Sequence, residues 1–136
     1  MQEWHYKGHE FADLTVTGDS SLYLKNETAW INELAGMRAI MGDQAGITEE
    51  EVLGVRAPGL KPGYNTQYDV LIDYGFVWDS SIGVPPLDVP VWPYTLDYSL
   101  PHKCKTETCP SRQFPGVWEI PLNSHYAQVG NFKISN

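Results

Sequence analysis

Between residues 52 and 65 the sequence reads Val52-Leu53-Gly54-Val55-Arg56-Ala57-Pro58-Gly59-Leu60-Lys61-Pro62-Gly63-Tyr64-Asn65. No other stretch limits the fold as much. The short β-branched run 52–55 predicts a strand. Residues 57–63 can continue neither strand nor helix, because Pro58 and Pro62 lack an N–H and Gly59 and Gly63 lack side-chain restraint. A helix-like segment follows from Asn65 or Thr66. Arg56 therefore stands where the strand ends. Parallel sheets bind ligands beyond the carboxyl ends of their strands, so Arg56 is a candidate site residue. The competing reading is a structural arginine paired with a carboxylate.

The flanking sequence repeats this alternation. Residues 11–17 read as a strand, and Gly18-Asp19-Ser20-Ser21 as a turn. Asn26 or Thr28 can cap a helix whose residues Trp30, Leu34, Met37 and Met41 share one face, with Gly42 and Gly46 as stop signals. Thr48 and Glu51 have the spacing of a capping box around one helical turn. A second helix is predicted up to Tyr74, with Val70, Leu71 and Tyr74 buried and Gly75 ending it. Strands are predicted at 76–78, 94–98, 116–120 and 131–134, and Pro93 limits the second of these to an edge or a strand start. Residues 83–93 read as a proline-rich loop. Strand, helix, strand, helix, strand is the pattern of a parallel α/β sheet. Two helices are too few to shield both faces of an isolated sheet of about five strands. The chain thus reads as a single partial domain, residues 1–136, of a larger α/β barrel or sheet.

Composition narrows the partners. The 136 residues are 42% hydrophobic and 19% charged, with a net charge of −8. A packed core is expected, and nucleic acid and anionic membrane surfaces are disfavoured as partners. No apolar run is long enough to span a bilayer. Met1-Gln2-Glu3-Trp4-His5 is not a signal peptide, so either the protein is cytosolic or the chain lacks its natural start. Cys104 and Cys109 are the two cysteines, and their separation permits a small disulfide loop; no second pair completes a zinc site. Asn26-Glu27-Thr28 is a glycosylation sequon. Both features favour a secretory compartment.

Other candidate residues have simpler competing roles. His5 and His9 are spaced i, i+4, as metal ligands on a helix would be, but the sequence places no third ligand beside them. They read as surface or packing histidines; His102 and His125 are the other two in the chain. Asp13 is a stray candidate ligand. Asp73 and Asp79 lie near element ends, and Asp79 is expected to cap the turn after Trp78 rather than act as a base. Trp92 and Tyr94 lie where aromatic rings could stack on sugar, whereas Trp30, Trp78 and Trp118 read as core.

A set of segments in fixed order carries a more specific signal. They are Gly8-His9-Glu10-Phe11-Ala12, Glu33-Leu34-Ala35-Gly36-Met37-Arg38, Gly54-Val55-Arg56-Ala57-Pro58, Trp78-Asp79-Ser80-Ser81-Ile82, Trp92-Pro93-Tyr94-Thr95, Pro101-His102-Lys103-Cys104, Cys109-Pro110-Ser111-Arg112 and Val117-Trp118-Glu119-Ile120-Pro121. In these the chain resembles the central part of insect-type chitin deacetylases, members of the polysaccharide deacetylase (NodB-like, carbohydrate esterase family 4) family. The resemblance implies a distorted (β/α) barrel, here truncated at both ends, and a secreted protein acting on chitin. It implies hydrolysis of acetyl groups with a metal, usually zinc, held by an aspartate and two histidines, an aspartate base, and backbone N–H groups at the oxyanion.

The family's two histidines lie four apart in a His-Ser/Thr-x-x-His pattern. Leu14 and Gly18 occupy those places in this chain, and neither can ligate a metal. The family's paired aspartates and its later strands have no counterpart here. Arg56 matches the arginine that buttresses the catalytic aspartate. Gly59 stands where an aromatic residue is usual, and still offers an N–H to an oxyanion. Cys104 and Cys109 are expected to pair. The resulting expectation is a deacetylase-like extracellular protein without hydrolysis and with no cofactor, at most binding chitin or a related polysaccharide through Trp92 and Tyr94. The alternatives are a fragment of an active deacetylase, and a structural or interaction component that binds a protein partner in an extracellular assembly.

Overall fold

A computed structural model describes residues 1–124 and the backbone of 126–129 and 132–135. A short helix, α1 (Gln2–Tyr6), opens the chain. Two longer helices and four short parallel strands form the centre. In chain order these are β1 (Ala12–Asp13), α2 (Glu27–Ala45), β2 (Gly54–Val55), α3 (Tyr64–Asp73), β3 (Trp78–Asp79) and, after a long excursion, β6 (Trp118–Glu119). The excursion carries β4 (Gly83–Val84) and β5 (Tyr94–Thr95), and β7 (Leu122–Asn123), β8 (Tyr126–Val129) and β9 (Phe132–Ser135) follow β6.

The main sheet has the order β1-β2-β3-β6-β5. The first four strands are parallel, and β5 joins the edge antiparallel. Each strand is bonded to the next beyond its two residues. Arg56 N–H donates to Asp13 O at 2.8 Å, Ser80 N–H to Val55 O at 2.9 Å, and Ile120 N–H to Asp79 O at 2.8 Å. Separately, β4 pairs parallel with β7, and β8 pairs antiparallel with β9.

Register sorts the sheet into two rows. Asp13, Val55, Asp79 and Glu119 stand side by side and are all buried. Their neighbours Ala12, Gly54, Trp78 and Trp118 form the other row, where only Gly54 is buried. Side chains alternate between the faces of a strand. The first row therefore lies against the helices, where Tyr68 and Gln67 of α3 reach Asp79. Gly54 has no room for a side chain, because a Cβ there would sit inside the indole of Trp78.

α2 begins where Asn26 Oδ1 accepts from Ala29 N–H at 3.1 Å. Its expected face is present: Trp30, Leu34 and Met41 are buried, while Met37 is only partly so. The helix runs through Gly42 and stops at Gly46, which is left-handed. Arg38 joins the buried face, which the sequence reading missed. Its Nε donates to Val52 O at 3.0 Å and its Nη1 to Tyr74 O at 2.5 Å, so a charged head closes the loops below the helix. The guanidinium also lies 3.4 Å from the Phe76 ring centroid, a cation–π contact. The Thr48–Glu51 capping box is formed.

Four expectations need correction. The first strand covers only Ala12–Asp13, not 11–17. Asp13 Oδ1 accepts from Thr15 N–H at 2.6 Å and folds the chain back, with Thr15 at φ 77°. Tyr74 is exposed, because α3 turns Gln67, Tyr68, Val70 and Leu71 inward instead. Trp118 is exposed and Trp78 half-buried, because both lie on the row that no helix covers. Within the loop 83–93, Gly83–Val84 is a strand, paired with Leu122–Asn123.

Candidate functional site

The carboxyl ends of β1 and β2 frame a cleft of about 320 Å³ lined by Ala12, Asp13, Leu14, Arg56 and Trp78. Arg56 continues β2, and the turn after it is held by Ser81, whose Oγ accepts from Ala57 N–H at 2.8 Å. Ser80 fixes the guanidinium: Arg56 Nε donates to Ser80 O at 2.9 Å and Nη2 to Ser80 Oγ at 2.8 Å. That hydroxyl in turn donates to Ile120 O at 2.8 Å, tying three strand ends together. Arg56 thus has a structural anchor, but it is a serine rather than the carboxylate that the structural reading supposed.

Asp13 forms the wall of the cleft. It is 1% exposed, and its Oδ2 has no hydrogen-bond partner. Burial, together with the charge of Glu33, pushes its carboxyl up to about 7, against the pull of the Thr15 N–H and of Arg38. Around neutral pH it is therefore divided between its protonated and ionised forms, with one oxygen unspent. Beside it, Leu14 is exposed and apolar. Gly18 lies in the following loop and donates its N–H to Thr15 Oγ1 at 3.1 Å. Glu33 pins the same loop to α2 by accepting from the N–H and hydroxyl of Thr17, both at 2.8 Å. The cleft lining therefore offers one carboxylate and no imidazole, a donor set that does not fit the metal the family resemblance implies. Among the described residues, no group of three or more His, Cys, Asp or Glu stands together as a metal site would require.

The remaining candidates are dispersed. Gly59 (φ 65°) forms a turn against Ser20, and its conformation suits the absence of a side chain. It lines a different cleft, of about 420 Å³, with Leu60, Lys105 and Ser124, where Lys105 Nζ donates to Ser124 Oγ at 2.8 Å. Trp92 is 83% exposed. Tyr94 is half-buried, and its hydroxyl bonds His102 Nε2 at 2.9 Å. His5 pairs with Glu51 at 2.7 Å, and His9 packs edge-on against Trp4, so each has a local partner. Asp73 is exposed at the end of α3. His125 lies outside the described residues. Cys104 and Cys109 form a disulfide, with their Cα atoms 6.2 Å apart.

Asp79 is the feature the sequence understated. It does cap its turn, accepting from Ser81 N–H at 3.3 Å. It is also the centre of a fully buried cluster. Tyr68 OH donates to Oδ2 at 2.9 Å, and Gln67 Nε2 and Ser81 Oγ donate to Oδ1 at 3.1 and 2.5 Å. Glu119 stands beside it in register.

Fold and site together define a mixed α/β protein with a mostly parallel sheet and its polar groups gathered at the carboxyl ends of the strands. No family model matches the chain. The chain is homologous to insect chitin deacetylases. It is 38% identical to chitin deacetylase 1 of Bombyx mori over 128 residues, which is 90% of this chain and 24% of that protein. It is 30% identical to chitin deacetylase 8 of Bombyx mori over 106 residues, 77% of this chain and 28% of the relative. The chain thus spans about a quarter of the length of the relatives it matches. Among the described residues, no helix is long and apolar enough to cross a membrane. The disulfide is consistent with secretion.

Proposed function

We propose that the chain is a chitin-deacetylase-like extracellular protein that lacks hydrolysis and at most binds chitin or a related polysaccharide. One observation carries this reading: Leu14 and Gly18, at the family's histidine places, have no side-chain atom that can ligate zinc, and the cleft beside them holds a single carboxylate. A Lewis acid has nowhere to be held opposite Arg56 by these residues. We read the sheet as an arc of a distorted (β/α) barrel within one domain, residues 1–136. The row Ala12, Gly54, Trp78 and Trp118 faces its interior, which accounts for a face that the helices leave open. Trp92, exposed and next to Pro93, is the sugar platform in this reading, and Tyr94 positions the strand behind it. Asn26 carries a glycan; its Oδ1 caps α2 and the residue is exposed. Secretion from a eukaryotic cell followed by glycosidase treatment tests this, with a mass shift expected for the wild type and none for Asn26→Gln.

The decisive experiment is acetate release from chitin oligomers, with zinc analysis of the same sample. No turnover and no stoichiometric zinc are expected, and turnover with bound zinc would overturn the reading. A chitin pull-down separates binding from the remaining alternative. Retention that falls on Trp92→Ala supports polysaccharide binding; no retention supports a structural role with a protein partner. A second reading, in which this region belongs to an active deacetylase, is favoured by the chain's coverage of only about a quarter of its relatives. It requires the aspartate pair and metal ligands to come from other segments, and a longer product that binds zinc would select it.

A further inference from the structure

The buried acidic pair Asp79 and Glu119 is not explained by the cleft. They sit on adjacent parallel strands in direct register, and both are fully buried. Register places the two side chains next to one another on the same face of the sheet. Among the described residues, no ion pair involves either. Two neighbouring carboxylates in a dry interior, without a cation, do not both remain ionised.

The hydrogen bonds identify which one is neutral. Asp79 receives bonds from Gln67, Tyr68 and Ser81, the last through both hydroxyl and N–H, and a carboxylate is an acceptor-only group. Glu119 Oε1 accepts from Ile82 N–H at 3.0 Å, but Oε2 is buried with no partner. An orphaned buried oxygen beside an ionised carboxylate lacks only a proton.

We propose that Asp79 and Glu119 share one proton, carried on Glu119 Oε2 and donated to the Asp79 carboxylate. The pair is then a positioning device for the turn that carries Arg56. Asp79 orients Ser81, whose hydroxyl accepts from Ala57 N–H, and the adjoining Ser80 holds the Arg56 guanidinium. The titratable groups facing the pair are Tyr68 from α3 and Tyr94 from β5; neither brings positive charge. Burial first, and the neighbouring Asp79 second, push the Glu119 carboxyl well above its usual range, in keeping with this assignment.

Infrared spectroscopy of the whole chain tests the proposal directly. In an Asp13→Asn background, which removes the other protonated buried carboxyl, a carboxylic-acid carbonyl band is expected at neutral pH, sensitive to deuteration and missing once Glu119→Gln is added. Absence of the band from the Asp13→Asn protein would overturn the proposal. Glu119→Gln keeps a donor toward Asp79 and an acceptor for Ile82, so it should fold, whereas Asp79→Asn points an amide N–H₂ at existing donors and should fold poorly. The pH dependence gives a second readout. The folded wild type retains a proton that unfolded Glu119 releases near its ordinary value. Above that pH the folding constant falls by up to about tenfold per pH unit from this group. Glu119→Gln should lack that slope. A variant slope equal to the wild type's, or equal damage from both substitutions, would refute the shared proton.

Discussion

Asp13 and Asp79 occupy the same buried row of the sheet, two strands apart, and are equally hidden from water. Their surroundings could hardly differ more. Asp79 is enclosed by the donors of α3 and its own turn, and every oxygen is used. Asp13 has one N–H on one oxygen and nothing on the other, at the lip of a cleft. The contrast follows from position. Asp79 lies in the middle of the sheet over α3, which together with the following turn supplies its partners. Asp13 lies on the edge strand, where one neighbour is missing. Burial sets the cost of a charge, but the number of donors decides whether that cost is offset.

The strongest way to break this comparison is Asp79→Ala. It strands Tyr68, Gln67, Ser81 and Glu119 in the core at once, and should cost about 3–5 kcal/mol in urea unfolding. A loss as small as a surface substitution's would mean the cluster is not formed. Asp13→Asn should act in the opposite direction. The folded state keeps the Asp13 proton up to about 7, against 3.8 for the free group, so the wild type loses stability as pH rises through that window. The amide has no proton to lose. It should match the wild type near pH 4 and exceed it by roughly 2–4 kcal/mol at pH 8; parallel stability curves would disprove the shift. Arg56→Ala sharpens the comparison least. It removes the Ser80 anchor at the end of the strand between the two aspartates and should cost about 1 kcal/mol. Paired melts with Asp79→Ala would show whether the two are coupled through the turn.

How much of this was legible in the sequence depends on the range of the pattern. The α2 face, the Thr48–Glu51 capping box and the edge position of Tyr94–Thr95 are set by residues a few places apart, and were read correctly. The parallel alternation and the disulfide were likewise legible. Arg38 carried a usable signal, four residues beyond Leu34 on the same face, but its charge argued against burial until Val52 and Tyr74 offered carbonyls. Trp118 and Glu119 were inverted relative to hydrophobicity, with the tryptophan out and the glutamate in. That inversion depends on which face the helices cover and on register between strands about forty residues apart, and local pattern records neither. Arg56 and Gly59, close in sequence, line separate clefts because the turn at Pro58 redirects the chain.

The missing side chain at Gly54 has an evolutionary consequence. The indole of Trp78 fills the space above that residue, so positions 54 and 78 form one interlocking unit split across two strands. Neither can drift alone: a larger residue at 54 would evict the ring, and a smaller one at 78 would leave a hollow over bare backbone. Whatever that uncovered side of the sheet meets, its contour is set by a residue with almost no bulk of its own.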